Sequence, residues 1–231
     1  MQDSLAFSLA LDLLFNGQNM DYCERPISIS AMQQMAFFMD LPKGSHVGVI
    51  GPGGGRLVRS LADRGYSVEA YEGRSECLDH LQNMFENYPK IEIMNVSAIA
   101  DPTRREKKRF DALFCMDDLR AFRESHDWTV DVQKMLRRRG YFVYSQVSNK
   151  LPTQKNPLSD YFELVGDYDV SEQTAKEIRE CYLGLDYWRP TEDDKAVASE
   201  TLQMIKSATS LRRSIRSGVS VHYVAWRKKD D

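Results

Sequence analysis

The stretch "HVGVIGPGGGRLVRSLADRGYSVEAYEG", His46–Gly73, decides the fold. Five of its first ten residues are glycine. "HVGVI" reads as a strand that runs into those glycines. "RLVRSLADR" then sets Leu57, Val58, Leu61 and Ala62 on one helical face, and Gly65 is its natural stop. "YSVEAY" reads as a second strand leading to Glu72. A strand that ends in Gly-Pro-Gly-Gly-Gly and enters a helix has a recurring use. The glycines permit a tight turn and positive φ, and they let the backbone come close to a ligand. The helix that follows points its free N–H groups at that ligand. Glu72 lies 21 residues after Gly51, at the end of the next strand. An acid there can accept hydrogen bonds from both hydroxyls of a ribose. Glycines and acid together predict a nucleoside-containing cofactor over the carboxyl ends of the first two strands. The plainer alternative is a glycine-rich turn beside a solvated acid. The strand–turn–helix context and the spacing of Glu72 favour the cofactor.

Outward from that stretch, strands and helices alternate. "RSECLDHLQNMFENY" carries Cys77, Leu78, Leu81, Met84 and Phe85 at helical spacing. "KIEIMNV" is a strand. The basic loop "DPTRREKKRF" leads to the apolar strand "DALFCM". "WTVDVQKMLRRR" reads as a helix, and Gly140 turns it into the strand "YFVYSQV". Such alternation predicts an α/β fold with a mostly parallel, doubly wound sheet covered on both faces. From Leu151 the character changes. "YFELVGDYD" fits a short strand or a helical turn. Asp169 with Glu172 resembles a capping box opening a helix. A long helix to Arg216 follows, with Val197, Met204, Ile205, Ala208, Leu211 and Ile215 in one apolar stripe. "VSVHYVAWRK" closes the chain as a strand. The expected organisation is one domain: a helical lead-in over 1–44, a cofactor-binding core over 45–150, a helical insertion or lid over 151–218, and a closing strand over 219–231.

The chain has 231 residues, 42% hydrophobic and 28% charged, with a net charge of −3. That is enough for a sizeable single core. The charge balance demands no nucleic-acid or membrane partner. The four cysteines, Cys23, Cys77, Cys115 and Cys181, are scattered without metal-ligand spacing, so a reduced, cytoplasmic setting without a metal is expected. The opening "MQDSLAFSLALDLLFNG" lacks a basic leader and reads as an amphipathic helix, not a signal peptide.

The dinucleotide pattern G-x-G-x-x-G would need glycine at position 56, where this chain has Arg56. Gly51, Gly53 and Gly55 instead spell G-x-G-x-G. Here the chain resembles the class I S-adenosylmethionine-dependent methyltransferases, whose first motif has that form. "YEG" with Glu72 is similar to their ribose-binding acid. "FDALFCM" (Phe110–Met116) is similar to their fourth strand, "MLRRRGYFVYS" (Met135–Ser145) to their turn and fifth strand, and "VHYVAWRKK" to their last, antiparallel strand. The resemblance implies a Rossmann-like methyltransferase fold that binds S-adenosyl-L-methionine through Gly51, Gly53, Gly55 and Glu72, with Ser97 and Asp117 as further contacts. Two places depart from the family pattern. Val49 stands where an acid is usual, and Asn95, Ser97 and Ala98 occupy the place that often carries an aspartate beside the adenine.

Methyl transfer from a sulfonium needs alignment and partial desolvation more than it needs a catalytic group. A base is required only where the acceptor must lose a proton. Asp117 and Asp118 would face the methyl group in this fold, or else cap the turn that follows. The four histidines are isolated, and His222 falls inside a strand as a packed or exposed residue. Tyr182, Tyr187 and Trp188 are candidates to line an acceptor pocket or to anchor the insertion. The expected partner is a small molecule or a protein side chain. The apolar stripe of the long helix is a candidate dimerisation face. Two other readings stay open: a methyltransferase-like module kept for binding or assembly, which Val49 favours, and an NAD(P)-dependent oxidoreductase, which Arg56 disfavours.

Overall fold

The computed structural model describes residues 39, 41–52, 55–73, 75–99, 110–115, 128–148, 157–176, 215, 217–218 and 220–230. Its frame is a seven-stranded sheet in the order β3-β2-β1-β4-β5-β7-β6. The strands are β1 (His46–Ile50), β2 (Ser67–Glu72), β3 (Ile91–Asn95), β4 (Phe110–Cys115), β5 (Leu136–Ser148), β6 (Phe162–Asp169) and β7 (Ser220–Lys228). Strands β1 to β5 pair in parallel, and β7 runs antiparallel to both β5 and β6. The mostly parallel α/β sheet with an antiparallel C-terminal strand is therefore as the sequence predicts. The stretch 162–169, open between strand and helical turn in the sequence, is the edge strand β6. The section 151–218 thus contributes a strand to the sheet as well as helix.

Burial explains the strand pattern. β1 and β4 lie in the middle of the sheet, and their inner residues are buried on both faces. One face is built from Val47, Val49, Val68, Ala70, Ala112, Phe114 and Val143. Helices α1 (Arg56–Asp63) and α2 (Ser75–Phe85) cover it through Leu57, Val58, Leu61, Leu81 and Phe85. The other face holds Ile50, Tyr71, Leu113, Phe142 and Tyr144, against which α3 (Trp128–Met135) sets Val132 and Met135. Each valine, leucine, isoleucine, phenylalanine or methionine among them contributes about 1.5–3 kcal/mol when fully buried. Ile215, the described member of the long apolar stripe, packs against the first face of this chain's own sheet. The other stripe residues lie outside the described residues.

At the amino end of the sheet a buried carboxylate is fully engaged. Glu69 accepts from the Tyr71 hydroxyl at 2.7 Å and pairs with His46 Nε2 at 2.9 Å. The His46 backbone N–H donates to Asp111 Oδ2 at 2.8 Å, and Arg137 binds the same carboxylate. This ties β1, β2, β4 and β5 together where the strands begin.

The helix expected over "WTVDVQKMLRRR" ends earlier, at Met135, and β5 starts directly with Leu136. Pairing jumps from Phe110↔Leu136 to Ala112↔Tyr141, so three extra residues bulge out of β5. Arg139 takes φ 60° within that bulge. Lys228 of β7 donates from Nζ to the carbonyls of Gln133 and Leu136 at 3.1 and 3.4 Å. A cation there satisfies orphan carbonyls at the helix end and complements its dipole. The sheet thereby ends α3 earlier than the helical pattern alone suggests. Gly140 closes the bulge: a Cβ there would sit 3.0 Å from the Arg137 carbonyl oxygen and 3.1 Å from that of Phe110. Backbone cannot yield as a side-chain tip can. Gly140→Ala is expected to cost about 1–3 kcal/mol by overpacking, read as a lower midpoint in urea unfolding with an unchanged slope.

Candidate functional site

The helices that follow β1 and β4 in the chain, α1 and α3, cover opposite faces of the sheet. β1 and β4 are neighbours. Strand order reverses between them, and in open α/β sheets the ligand crevice lies outside the carboxyl ends at such a switch point.

The predicted residues of that edge come together by register. Ile50 pairs with Tyr71 and Glu72 pairs with Asn95, so Gly51 and Glu72 stand side by side at the end of their strands. Ser97 follows two residues beyond Asn95. Gly51 has φ 66° and Gly55 has φ 81°, left-handed backbone that glycine adopts without strain. The Gly51 N–H donates to the Tyr71 carbonyl at 3.0 Å, and the Gly55 N–H to the Pro52 carbonyl at 3.0 Å. The Gly51 N–H is thus spent on the ladder with β2 and the Gly55 N–H on the turn itself. Gly55 is the N-cap of α1, with no side-chain cap and no acidic residue in the first turn. The first-turn N–H groups of α1 and its positive dipole end thus belong to the carboxyl edge.

What excludes a side chain at Gly55 is the protein itself. A Cβ there would lie 2.8 Å from Phe85 Cε2 and 3.0 Å from Leu81 Cδ2. The glycine lets the start of α1 sit on α2. Gly53, Asp117, Asp118, Tyr182, Tyr187 and Trp188 lie outside the described residues.

Glu72 is only 4% exposed. Its Oε1 accepts from the Gly73 N–H at 2.9 Å. Ser97 is exposed, and its backbone N–H donates to Asn95 Oδ1 at 2.9 Å. Asn95, in the place where an aspartate is common, is thus engaged in a local turn that positions Ser97. Val49 is fully buried between Ala70 and Phe114, so this position offers an apolar side chain and not an acid. Cys115 is a buried free thiol of the core. Among the described residues no group of His, Cys, Asp or Glu could hold a metal ion, and no helix is long and apolar enough to cross a membrane.

Sequence reading missed one arrangement. His222 of β7 has its Nδ1 2.6 Å from Asp167 Oδ1 of β6, with the two side chains 12% and 25% exposed. Asp169, paired with His222 across the strands, is held below the usual carboxyl range. Burial pushes it up, but hydrogen bonds from the Ser171 hydroxyl and N–H, together with the neighbouring His222, outweigh that. No local motif joins residues 55 apart in sequence, and the pairing was legible only once β6 was known to be a strand.

The architecture is one that solved structures of methyltransferases share. The chain is similar in structure to an S-adenosylmethionine-dependent methyltransferase from Thiobacillus denitrificans in complex with S-adenosyl-L-homocysteine, at TM-score 0.65 and 11% identity over 95% of this chain and 98% of that one. The cyclopropane synthase MmaA2 from Mycobacterium tuberculosis matches at TM-score 0.67 and 14% identity, covering 98% of both chains. The [4+2]-cyclase SpnF matches at TM-score 0.66 and 13% identity over 100% of this chain and 96% of that one. No protein-family model and no curated protein matches the chain by sequence. The fold is therefore that of the class I S-adenosylmethionine-dependent methyltransferases.

Gly55→Ala is expected to destabilise the protein by about 1–3 kcal/mol, because positive φ and the contact with Phe85 act together. The measurement is denaturant unfolding. The companion variant Gly55→Ala/Phe85→Leu should recover part of the loss, since only the steric share depends on the ring.

Proposed function

We propose that the chain is an S-adenosylmethionine-dependent methyltransferase acting on a small molecule or a protein side chain. The observation that carries this reading is the buried Glu72 beside Gly51 and the start of α1, at the switch point of this sheet. The residues fit the cofactor. Glu72 would hold the ribose hydroxyls. The uncapped first turn of α1 would receive the amino-acid carboxylate. Ser97, past the end of β3, would meet the adenine. When bound, S-adenosylmethionine supplies a methyl group on a sulfonium, whose departure leaves a neutral thioether. The chain's own part is to orient donor and acceptor and to exclude water at the carboxyl edge.

On the same reading the chain is one domain, Gly53 completes the glycine turn and Asp117 flanks the cofactor beyond β4. The section 151–218, β6 apart, covers the acceptor, with Tyr182, Tyr187 and Trp188 as candidate lining residues. The scattered cysteines support a cytoplasmic setting. Val49 supports a second reading, a module that keeps the fold for binding without turnover.

Calorimetry with S-adenosylhomocysteine and with NAD tests the proposal. S-adenosylhomocysteine is expected to bind one per chain and NAD not at all. Glu72→Ala should weaken that binding at least tenfold, because two charge-assisted hydrogen bonds of roughly 1.5–3 kcal/mol each are lost. Binding of NAD alone, or an unchanged dissociation constant in Glu72→Ala, would contradict the assignment. Saturating S-adenosylmethionine with no methyl transferred to any offered acceptor or protein would favour the non-catalytic module.

A further inference from the structure

Strands β5 and β7 rise above the switch point. Cys115, the end of β4, is level with Ile50 of β1 and with Tyr144 of β5. The β5–β7 ladder continues four residues further, through Ser145↔Tyr223, Gln146↔His222 and Val147↔Val221 to Ser148↔Ser220. His222 is thus two residues beyond the end of β4, about 7 Å higher at the usual strand rise, and two strands to the side, about 10 Å. It stands in a wall beside the crevice, not beneath it. Along β7 it alternates with Val221 and Tyr223, which pack on the α1–α2 face. His222 therefore shares the α3 face with Val224 and Trp226.

The ring is oriented. The 2.6 Å contact turns Nδ1 towards the Asp167 carboxylate and so points Nε2 away from it, the two ring nitrogens lying on opposite sides of the imidazole. Asp169, the other carboxylate opposite His222, accepts from the Ser171 N–H at 2.9 Å through its Oδ1 and adds a second negative group beside the ring. The register partner on β5, Gln146, carries no charge. The arrangement is that of a base whose second nitrogen is held by an acid, the geometry by which an imidazole accepts a proton and has its positive charge neutralised in place.

We propose that His222, oriented by Asp167, is the general base that deprotonates the methyl acceptor, and that the acceptor is therefore a protic oxygen or nitrogen, a hydroxyl or an ammonium. This rests on the methyltransferase reading above. In the step, the acceptor's O–H or N–H bond breaks and its proton passes to Nε2. The electron pair left on the acceptor forms the new bond to the methyl carbon. The pair of the breaking carbon–sulfur bond stays on sulfur, and the imidazolium pairs with the Asp167 carboxylate. Asp167 is a positioning residue, and His222 is the group that touches the substrate.

The test uses the full chain with 15N-labelled histidine, the His222 signals being assigned by their loss in His222→Gln. Without ligand, His222 is expected in the Nδ1–H tautomer, with Nε2 at the shift of an unprotonated ring nitrogen. Asp167→Asn, which removes the obligatory acceptor, should abolish that preference. With cofactor, the His222 signals should differ between the S-adenosylmethionine and S-adenosylhomocysteine complexes, because the two ligands differ only by the methyl and its charge. An Nε2–H tautomer, or identical His222 signals in the two complexes, overturns the proposal. If calorimetry shows neither ligand binding, the methyltransferase reading fails first and the base role falls with it. With a hydroxyl or amine acceptor, His222→Gln should lower kcat by about 10²–10⁴-fold with the KM for S-adenosylmethionine unchanged, and added imidazole should restore turnover in His222→Ala. A purely structural histidine would show neither the split nor the rescue.

Discussion

The structure depends on how the chain leaves β1. β1 is hydrogen-bonded to β2 on one side and β4 on the other, so its end is fixed in the middle of the sheet. To cover that sheet the chain must reverse direction within five residues and begin a helix on one face. Left-handed backbone at Gly51 and again at Gly55 makes the reversal possible. The Gly51 N–H stays in the ladder with Tyr71, which keeps the turn in line with the end of β2. That placement sets Glu72 next to the turn and aims the first turn of α1 along the same edge. A side chain with ordinary φ at either glycine would move the helix start, and with it every group of the candidate site.

From this constraint the two faces follow. α1 and α2 close one side over Val49, Ala70 and Phe114, and α3 closes the other over Leu113 and Phe142. The crevice is the place that neither set of helices can cover. Its two flanks differ in character. On the β2 side a buried carboxylate and a helix terminus suit a sugar and a carboxylate. On the β7 side an oriented imidazole rises above the edge. A donor on the first flank and an acceptor on the second would meet over β1 and β4, which is the division of labour that methyl transfer needs.

The sequence carried the parallel core plainly because its strands are buried on both faces. "HVGVI" and "DALFCM" are near-continuous apolar runs that suit the centre of such a sheet. The left-handed glycines at 51 and 55 and the place of Glu72 at the end of β2 were legible because φ demands and spacing are local. β6 is open in the sequence between a strand and a helical turn. It is an edge strand with Glu163, Leu164, Val165 and Asp167 all exposed, so it lacks the alternation that one buried face imposes. The early start of β5 was hidden as well, because "QKMLRRR" has helical propensity and only the Phe110 ladder and the Lys228 cap override it. At Gly55 the sequence did not show the packing demand that the structure adds, since a Cβ there would meet the ring of Phe85. His222 gave no signal at all, since its partner comes from the strand the sequence left open.

The central claim is that the edge formed by Gly51, Glu72 and α1 binds a sulfonium nucleoside. A crystal structure of the protein with S-adenosylhomocysteine tests it most directly. The account predicts both ribose hydroxyls within hydrogen-bond distance of the Glu72 carboxylate and the amino-acid carboxylate at the first turn of α1. Ligand density elsewhere on the protein, with Glu72 making no contact to it, would contradict the account.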